Sequence, residues 1–198
     1  MPEDHLKAYS KKRDFSQTPE PSDDLPEHGT ADGPVFVVQK HDASRLHYDF
    51  RLEVDGVLKS WAVPKGPSIN PSEKRLAMPT EDHPMGYAIF EGVIPKGQYG
   101  AGPVIVWDLG TFRNITEKHG EPVPAARAIE DGHISLYLAG QKLQGGFSLI
   151  QMKHSKDKGW LLVKMDDDGA DPTRDIVAEE PRSVLSGRTI EEVRAEKE

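Results

Sequence analysis

The sequence predicts a mainly β protein: a small closed or nearly closed antiparallel β-barrel of about eight strands with one or two short helices. Three observations carry this. Short runs rich in branched aliphatic and aromatic residues recur from Val35 onward. Glycine, proline and an Asp55-Gly56 step punctuate them, which is the chemistry of tight hairpin turns. Almost no stretch shows the apolar period of an amphipathic helix. A sheet closed on itself then removes the exposed edges that so many short strands would leave.

The elements follow in order. Residues 35–38 form an unbroken apolar run, and residues 47–54 alternate ionisable with apolar side chains before the Asp55-Gly56 turn and a strand over 57–63. Further strands are predicted at 87–93, 104–107, 134–138, 146–152 and 160–164. The run 124–131 reads as a helix started by Pro124 and ended by Gly132. A last helix is predicted over 190–196, with Thr189 as its cap.

The chain of 198 residues divides into a polar N-terminal arm (1–33), a barrel domain (34–165) and an acidic C-terminal tail (166–198) with a short helix. The arm holds Pro19, Pro21 and Pro26 and has the composition of a linker, apart from the patch Lys11-Lys12-Arg13-Asp14-Phe15. It carries four basic against eight acidic side chains and the tail five against eleven, so the net charge of −8 leaves the barrel at +2. The acidity belongs to the ends, and a locally basic cleft in the middle is compatible with a nucleic-acid backbone. Cysteine is absent, which excludes disulfides, thiolate metal sites and a cysteine nucleophile. No apolar stretch approaches the roughly eighteen residues that span a bilayer, and the N-terminus has no apolar signal region, so no membrane partner and a cytoplasmic location are expected.

The chemistry concentrates in residues 39–53. On a strand, His47, Asp49, Arg51 and Glu53 project to one face and Tyr48, Phe50, Leu52 and Val54 to the other. Two imidazoles, His41 and His47, with the Asp49 carboxylate suit a divalent transition ion with open positions, and a guanidinium beside them matches phosphate oxygens. For an isolated His-x-Asp pair, a solvated strand face is the commoner outcome. Here the cluster Glu81-Asp82-His83-Pro84 through Tyr87, with Lys65 and Arg75 between, favours a site.

Other motifs weigh less. Residues 97–102, Gly-Gln-Tyr-Gly-Ala-Gly, read as a tight strand connection rather than a phosphate loop. The acidic run 166–171 lacks the glycine and glutamate of a calcium loop. Trp61, Trp107 and Trp160 fall in predicted strands and read as core. His119, His133 and His154 read as surface or satisfied histidines.

The motifs HDASRLHYDFRLE (41–53), LKSWAVPKGP (58–67), EDHP (81–84) and GQYGAG (97–102) together closely resemble the 3′-phosphoesterase domain of bacterial DNA ligase D. The likeness runs through most of the chain, and nothing in it resembles a ligase or polymerase module, so it looks like a freestanding member. The resemblance implies a manganese-dependent phosphoesterase on a small β-barrel, acting on DNA or RNA-ended DNA 3′ ends, with other divalent transition metals also suiting the site. By position it implies His41, His47 and Asp49 as metal ligands and Arg51, His83 and Tyr87 as catalytic groups. Gln39, Lys65, Arg75 and Glu81 align with supporting positions, and Arg13, Asp14 and Glu20 with an arm that helps remove a terminal ribonucleoside. Separate ligase, polymerase and Ku-type repair proteins are the partners that such a family suggests.

Two other classes stay open at this stage. His47-x-Asp49 with His119 or His133 would fit the facial triad of a non-haem iron oxygenase, leaving His41 idle. A non-catalytic module that binds DNA ends or a repair partner would use the acidic ends as docking arms.

Overall fold

The computed structural model describes residues 5–22 and 32–196. A short helix, α1 (Lys7–Lys11), precedes β1 (Val35–Asp42), β2 (Leu46–Val54), β3 (Val57–Val63) and β4 (Lys74–His83). A 3-10 helix (Met85–Ile89) leads to β5 (Gly92–Ile94) and the long β6 (Gly102–Asn114). The two-residue strands β7 (Glu117–Lys118) and β8 (Glu121–Pro122) are followed by α2 (Ala125–Glu130), β9 (His133–Gly140), β10 (Gln144–Gln151) and β11 (Trp160–Lys164). Helices α3 (Ile176–Glu179) and α4 (Ile190–Ala195) complete the described chain.

Strands pair antiparallel in the order β1-β2-β3-β4-β11-β10-β9-β6, and β6 returns to β1, so eight strands close the barrel. Strand β5 adds to the start of β6, opposite β1 and before β9 begins its own pairing at Gly110. The barrel interior holds the apolar side of the β1–β2 hairpin, Phe36, Val38, Tyr48, Phe50, Leu52 and Val54, with all three tryptophans. The outer face of the same hairpin is covered too. Val35 and Val37 pack there with Tyr9, Leu58, Tyr87, Phe90, Val104 and Val106. A hairpin buried on both sides reads as a nearly continuous apolar run, which is why Val35–Val38 shows no alternation.

Two parts of the strand assignment are corrected. Residues 87–93 do not form one strand: Tyr87 N–H donates to Pro84 O at 2.9 Å and Phe90 N–H to Tyr87 O at 3.1 Å, turning the chain into the 3-10 helix. Tyr87, Ala88 and Phe90 are all buried on one patch, a spacing that a strand with period two cannot supply. Strand β4 is an addition, since its sequence KRLAMPTEDH has no clean alternation. Pro79 sits where β4 faces only β3, because β11 pairs only with residues 74–77, so its missing N–H removes no ladder bond on that side.

The arm and tail segments pack on the barrel. Tyr9 is fully buried, and its hydroxyl donates to Pro21 O at 2.6 Å. Ile176 joins the main core, while Ile190 and Val193 of α4 pack on Ile105. Thr189 and Glu192 form a capping box, as the sequence predicts for this helix. Asp167 pairs with the buried Lys164 ammonium and accepts from Gly146 N–H at 2.6 Å, so the acidic run is a turn closed by a cation. Among the described residues no helix is long and apolar enough to cross a membrane.

Candidate metal and phosphate site

The β1–β2 register assembles the site. It places His41 opposite His47, Gln39 opposite Asp49 and Val37 opposite Arg51, so residues separated along the chain become cross-strand neighbours. The Asp49 carboxylate is the common point: Oδ2 lies 3.6 Å from His41 Nδ1, 3.4 Å from His47 Nε2 and 3.4 Å from Arg51 NH2. Such spacings are close to the ~3.0–3.5 Å between neighbouring ligands of an ion bound at about 2.1 Å.

The two imidazoles are oriented from behind. His41 Nε2 donates to Gly100 O at 2.6 Å and His47 Nδ1 to Arg45 O at 2.9 Å. A carbonyl only accepts, so these contacts put the ring protons on the outer nitrogens and leave His41 Nδ1 and His47 Nε2 as lone pairs toward Asp49. Among the described residues this is the group of three His, Asp or Glu side chains whose donor atoms converge, all within 4.8 Å of one another. The donor set therefore fits a divalent transition ion. Burial by itself would raise the Asp49 carboxyl, but Arg51 and the two imidazoles hold it well below the usual carboxylate range. Burial opposes protonation of His47, and Asp49 outweighs it and raises the imidazole.

Beside the triad lies Arg51, buried and almost fully committed to protein acceptors. Nε donates to Gln39 Oε1 at 2.8 Å, NH1 to Ser60 Oγ at 2.9 Å, and NH1 also meets His83 Nδ1 at 3.1 Å. Only NH2, shared with Asp49, remains for a ligand, so a phosphate would meet one arm of the guanidinium and not the paired fork expected from sequence. Gln39 is a strut: its Nε2 donates to Tyr87 O at 2.8 Å and Phe90 O at 3.0 Å, tying the 3-10 helix to Arg51. Burial, then Arg51 and Arg13, hold the His83 imidazole well below its ordinary value, so it is neutral.

The N-terminal segment forms one wall. Tyr87 Oη donates to Glu20 Oε1 at 2.8 Å, and the same oxygen accepts from Arg13 Nε at 2.9 Å. Arg13 NH1 also reaches Glu81 Oε1 at 3.3 Å. Burial and the Glu20 carboxylate push the Tyr87 phenol well above its ordinary value, which keeps it a hydrogen-bond donor. These side chains line a cleft of about 270 Å³ with the triad at its floor.

Some predicted site residues lie elsewhere. Lys65 and Arg75 line a separate depression with Pro64 and Leu76, and Arg75 pairs with Glu73 at 2.9 Å. Asp14 is exposed and accepts from Ser16 N–H and Oγ, closing a turn. His119 and His133 are exposed at a turn and on β9, away from the triad, so the facial-triad alternative lacks its third ligand. Sequence reasoning missed Ser60, which holds Arg51, and Tyr99 and Gly100, which line the cleft. The loop at 97–102 is the tight connection expected, with φ of +86° at Gly97 and +73° at Gly100, and it is also the anchor of His41.

The sequence model of the DNA ligase D 3′-phosphoesterase domain matches residues 39–151. The chain belongs to this family. It is 50% identical to the multifunctional non-homologous end joining protein LigD of Pseudomonas aeruginosa over 188 residues, 93% of this chain and 22% of that protein. It is also 50% identical to the LigD DNA repair protein of Mycobacterium tuberculosis over 163 residues, 82% of this chain and 20% of that protein. The chain thus spans about a fifth of the length of the LigD relatives it matches. The matched segment of the 3′-phosphoesterase family contains the His41, His47 and Asp49 triad, Arg51, His83 and Tyr87, whereas Arg13 and Glu20 precede it.

Proposed function

We propose that this chain is a metal-dependent DNA 3′-end-processing phosphoesterase that removes a 3′-phosphate, and 3′-terminal ribonucleosides, to leave a 3′-hydroxyl. The observation that carries this is the pair of imidazoles, each held from behind by a backbone carbonyl, with lone pairs converging on Asp49 next to Arg51 and neutral His83. Manganese(II), held by His41, His47 and Asp49, would supply positive charge against the phosphate oxygens and lower the pKa of a water.

The protein groups then have defined parts. Arg51 NH2 donates to a phosphate oxygen, and His83 supplies its free ring nitrogen, Nε2, as donor in one tautomer and acceptor in the other. Water attacks phosphorus directly, because among the described residues no cleft serine or threonine hydroxyl bonds a histidine base. In phosphate release the bond from phosphorus to the 3′-oxygen breaks, and in ribonucleoside removal the bond to the nucleoside's 5′-oxygen breaks and leaves a 3′-phosphate for the first reaction. In both, a proton lost by the attacking water balances the one taken up by the leaving oxygen. Arg13 and Glu20, fixed to Tyr87, position the longer substrate whose leaving group is a nucleoside. We place the barrel domain at residues 34–165, assign the protein to the cytoplasm and to end-joining repair, and propose ligase, polymerase and Ku-type proteins as its partners.

The test is phosphate release from a 3′-phosphorylated oligonucleotide with manganese and with chelator. Release with metal alone is expected, and His47→Ala should cut it by a factor of about 100 or more with the fold intact by circular dichroism. DNA binding with no turnover under any divalent ion would turn the assignment to an end-binding module.

A further inference from the structure

At the cleft mouth, Tyr99 stands apart from the other aromatic residues. The tyrosines packed around the site, Tyr9 and Tyr87, are buried, whereas Tyr99 lines the cleft and is 49% exposed. Two cations of the arm lie near it: Lys12 Nζ is 4.8 Å and the Arg13 guanidinium carbon 5.3 Å from its ring centroid. Arg13 is also 3.9 Å from the centroid of Tyr9, whose ring is 5.1 Å from that of His83. Arg13 thus lies near both the buried Tyr9 ring and the half-exposed Tyr99 ring.

We infer that Tyr99 is the stacking platform for the base of the nucleotide that bears the 3′-phosphate, with Lys12 facing the adjoining phosphodiester; this rests on the phosphoesterase function proposed above. A half-exposed ring at the rim of an ionic cleft buries little core surface, and every base offers it a π-face. The placement suits one nucleotide. Gly100, the next residue, holds His41 through its carbonyl, so the platform is one residue from a metal-ligand anchor. Glycines 97 and 100, both at positive φ, fix the turn that presents the ring.

The experiment is a binding cycle, read by fluorescence anisotropy with labelled oligonucleotides whose 3′-phosphorylated terminal nucleotide either carries its base or is abasic. The full chain should prefer the base-bearing end by about ten- to a hundredfold. In Tyr99→Ala this preference should shrink below about threefold, while Tyr99→Phe should keep it. An equal loss of affinity for both ends in Tyr99→Ala, leaving the preference intact, would overturn the assignment, as would a wild-type protein that does not distinguish the two ends. Because the readout is binding, a wild type that discriminates through Tyr99 but releases no phosphate would refute the phosphoesterase reading and leave the platform standing.

Discussion

Arg51 NH1 and His83 Nδ1 meet at 3.1 Å inside the protein, a cation beside an imidazole that also lies 2.9 Å from Glu81 O. Burial and the two arginines make a second positive charge there unfavourable, so His83 is neutral where a free imidazole would begin to protonate. The consequence is measurable. By NMR, His83 should be less protonated at pH 6 than a free imidazole, whose pKa is about 6.5. In Arg51→Gln its midpoint should move upward. The linked stability follows: the unfolded chain takes up a proton below pH ~6.5 that the folded protein refuses, so stability from this group falls as pH drops from there toward the lowered folded value. A wild-type His83 that titrates near 6.5 would refute the coupling.

Arg51→Lys should be poorly tolerated. A lysine keeps the charge and three N–H bonds, but these radiate from one nitrogen and do not span the separate positions at which Arg51 Nε, NH1 and NH2 meet Gln39, Ser60 and a ligand beside Asp49. A fall in kcat of about tenfold or more, with metal affinity little changed, is expected. Equal rates in the two proteins would reduce Arg51 to a remote charge.

Gly100→Ala tests the carbonyl anchor of His41. A Cβ at this position would lie 3.3 Å from His41 Cε1 on a backbone with φ of +73°, so the loop or the ring must shift. Outer contacts that orient a metal-ligating histidine are commonly worth ten- to a hundredfold in affinity. Calorimetric titration with manganese should therefore show binding weaker by about tenfold, with thermal unfolding still cooperative. Unchanged affinity would mean that the Gly100 carbonyl does not orient the ligand.

How much of this was legible beforehand differs by distance along the chain. His41, His47 and Asp49 were visible because a single hairpin joins them and strand parity is local. The Glu20–Tyr87 contact, 67 residues apart, has no spacing signal, and only resemblance pointed to it. Lys65 and Arg75 show that nearness in sequence does not place a residue in the cleft. They lie near the cluster in sequence, yet Arg75 is eight residues from His83 on β4, roughly 25 Å of extended chain. The segment 87–93 was misread because its apolar residues cover a patch instead of alternating, and β4 was missed because its polar face and Pro79 hide the pattern.

The arm offers the last prediction. Its composition is that of a linker, but Lys12 and Arg13 reach Glu81 at 3.2 and 3.3 Å, and Tyr9 is buried against His83 and Tyr87. Burial would raise the Glu81 carboxyl, and a backbone hydrogen bond with the two cations outweighs it and lowers the group. A lowered folded pKa fixes the sign. Docking stability linked to Glu81 is fully present above the unfolded carboxylate value of about 4.3 and is lost as pH falls through the lowered folded value. Hydrogen exchange of residues 7–22 should therefore speed up on acidification before the barrel strands lose protection, and Glu81→Gln should show weak arm protection already at neutral pH. Since Glu81 also holds Arg13, which with Glu20 is proposed to position the longer substrate, the same substitution should also impair removal of a terminal ribonucleoside more than release of a 3′-phosphate. Equal protection of the arm in Glu81→Gln and wild type across the pH range would show that the arm is held by Tyr9 packing alone.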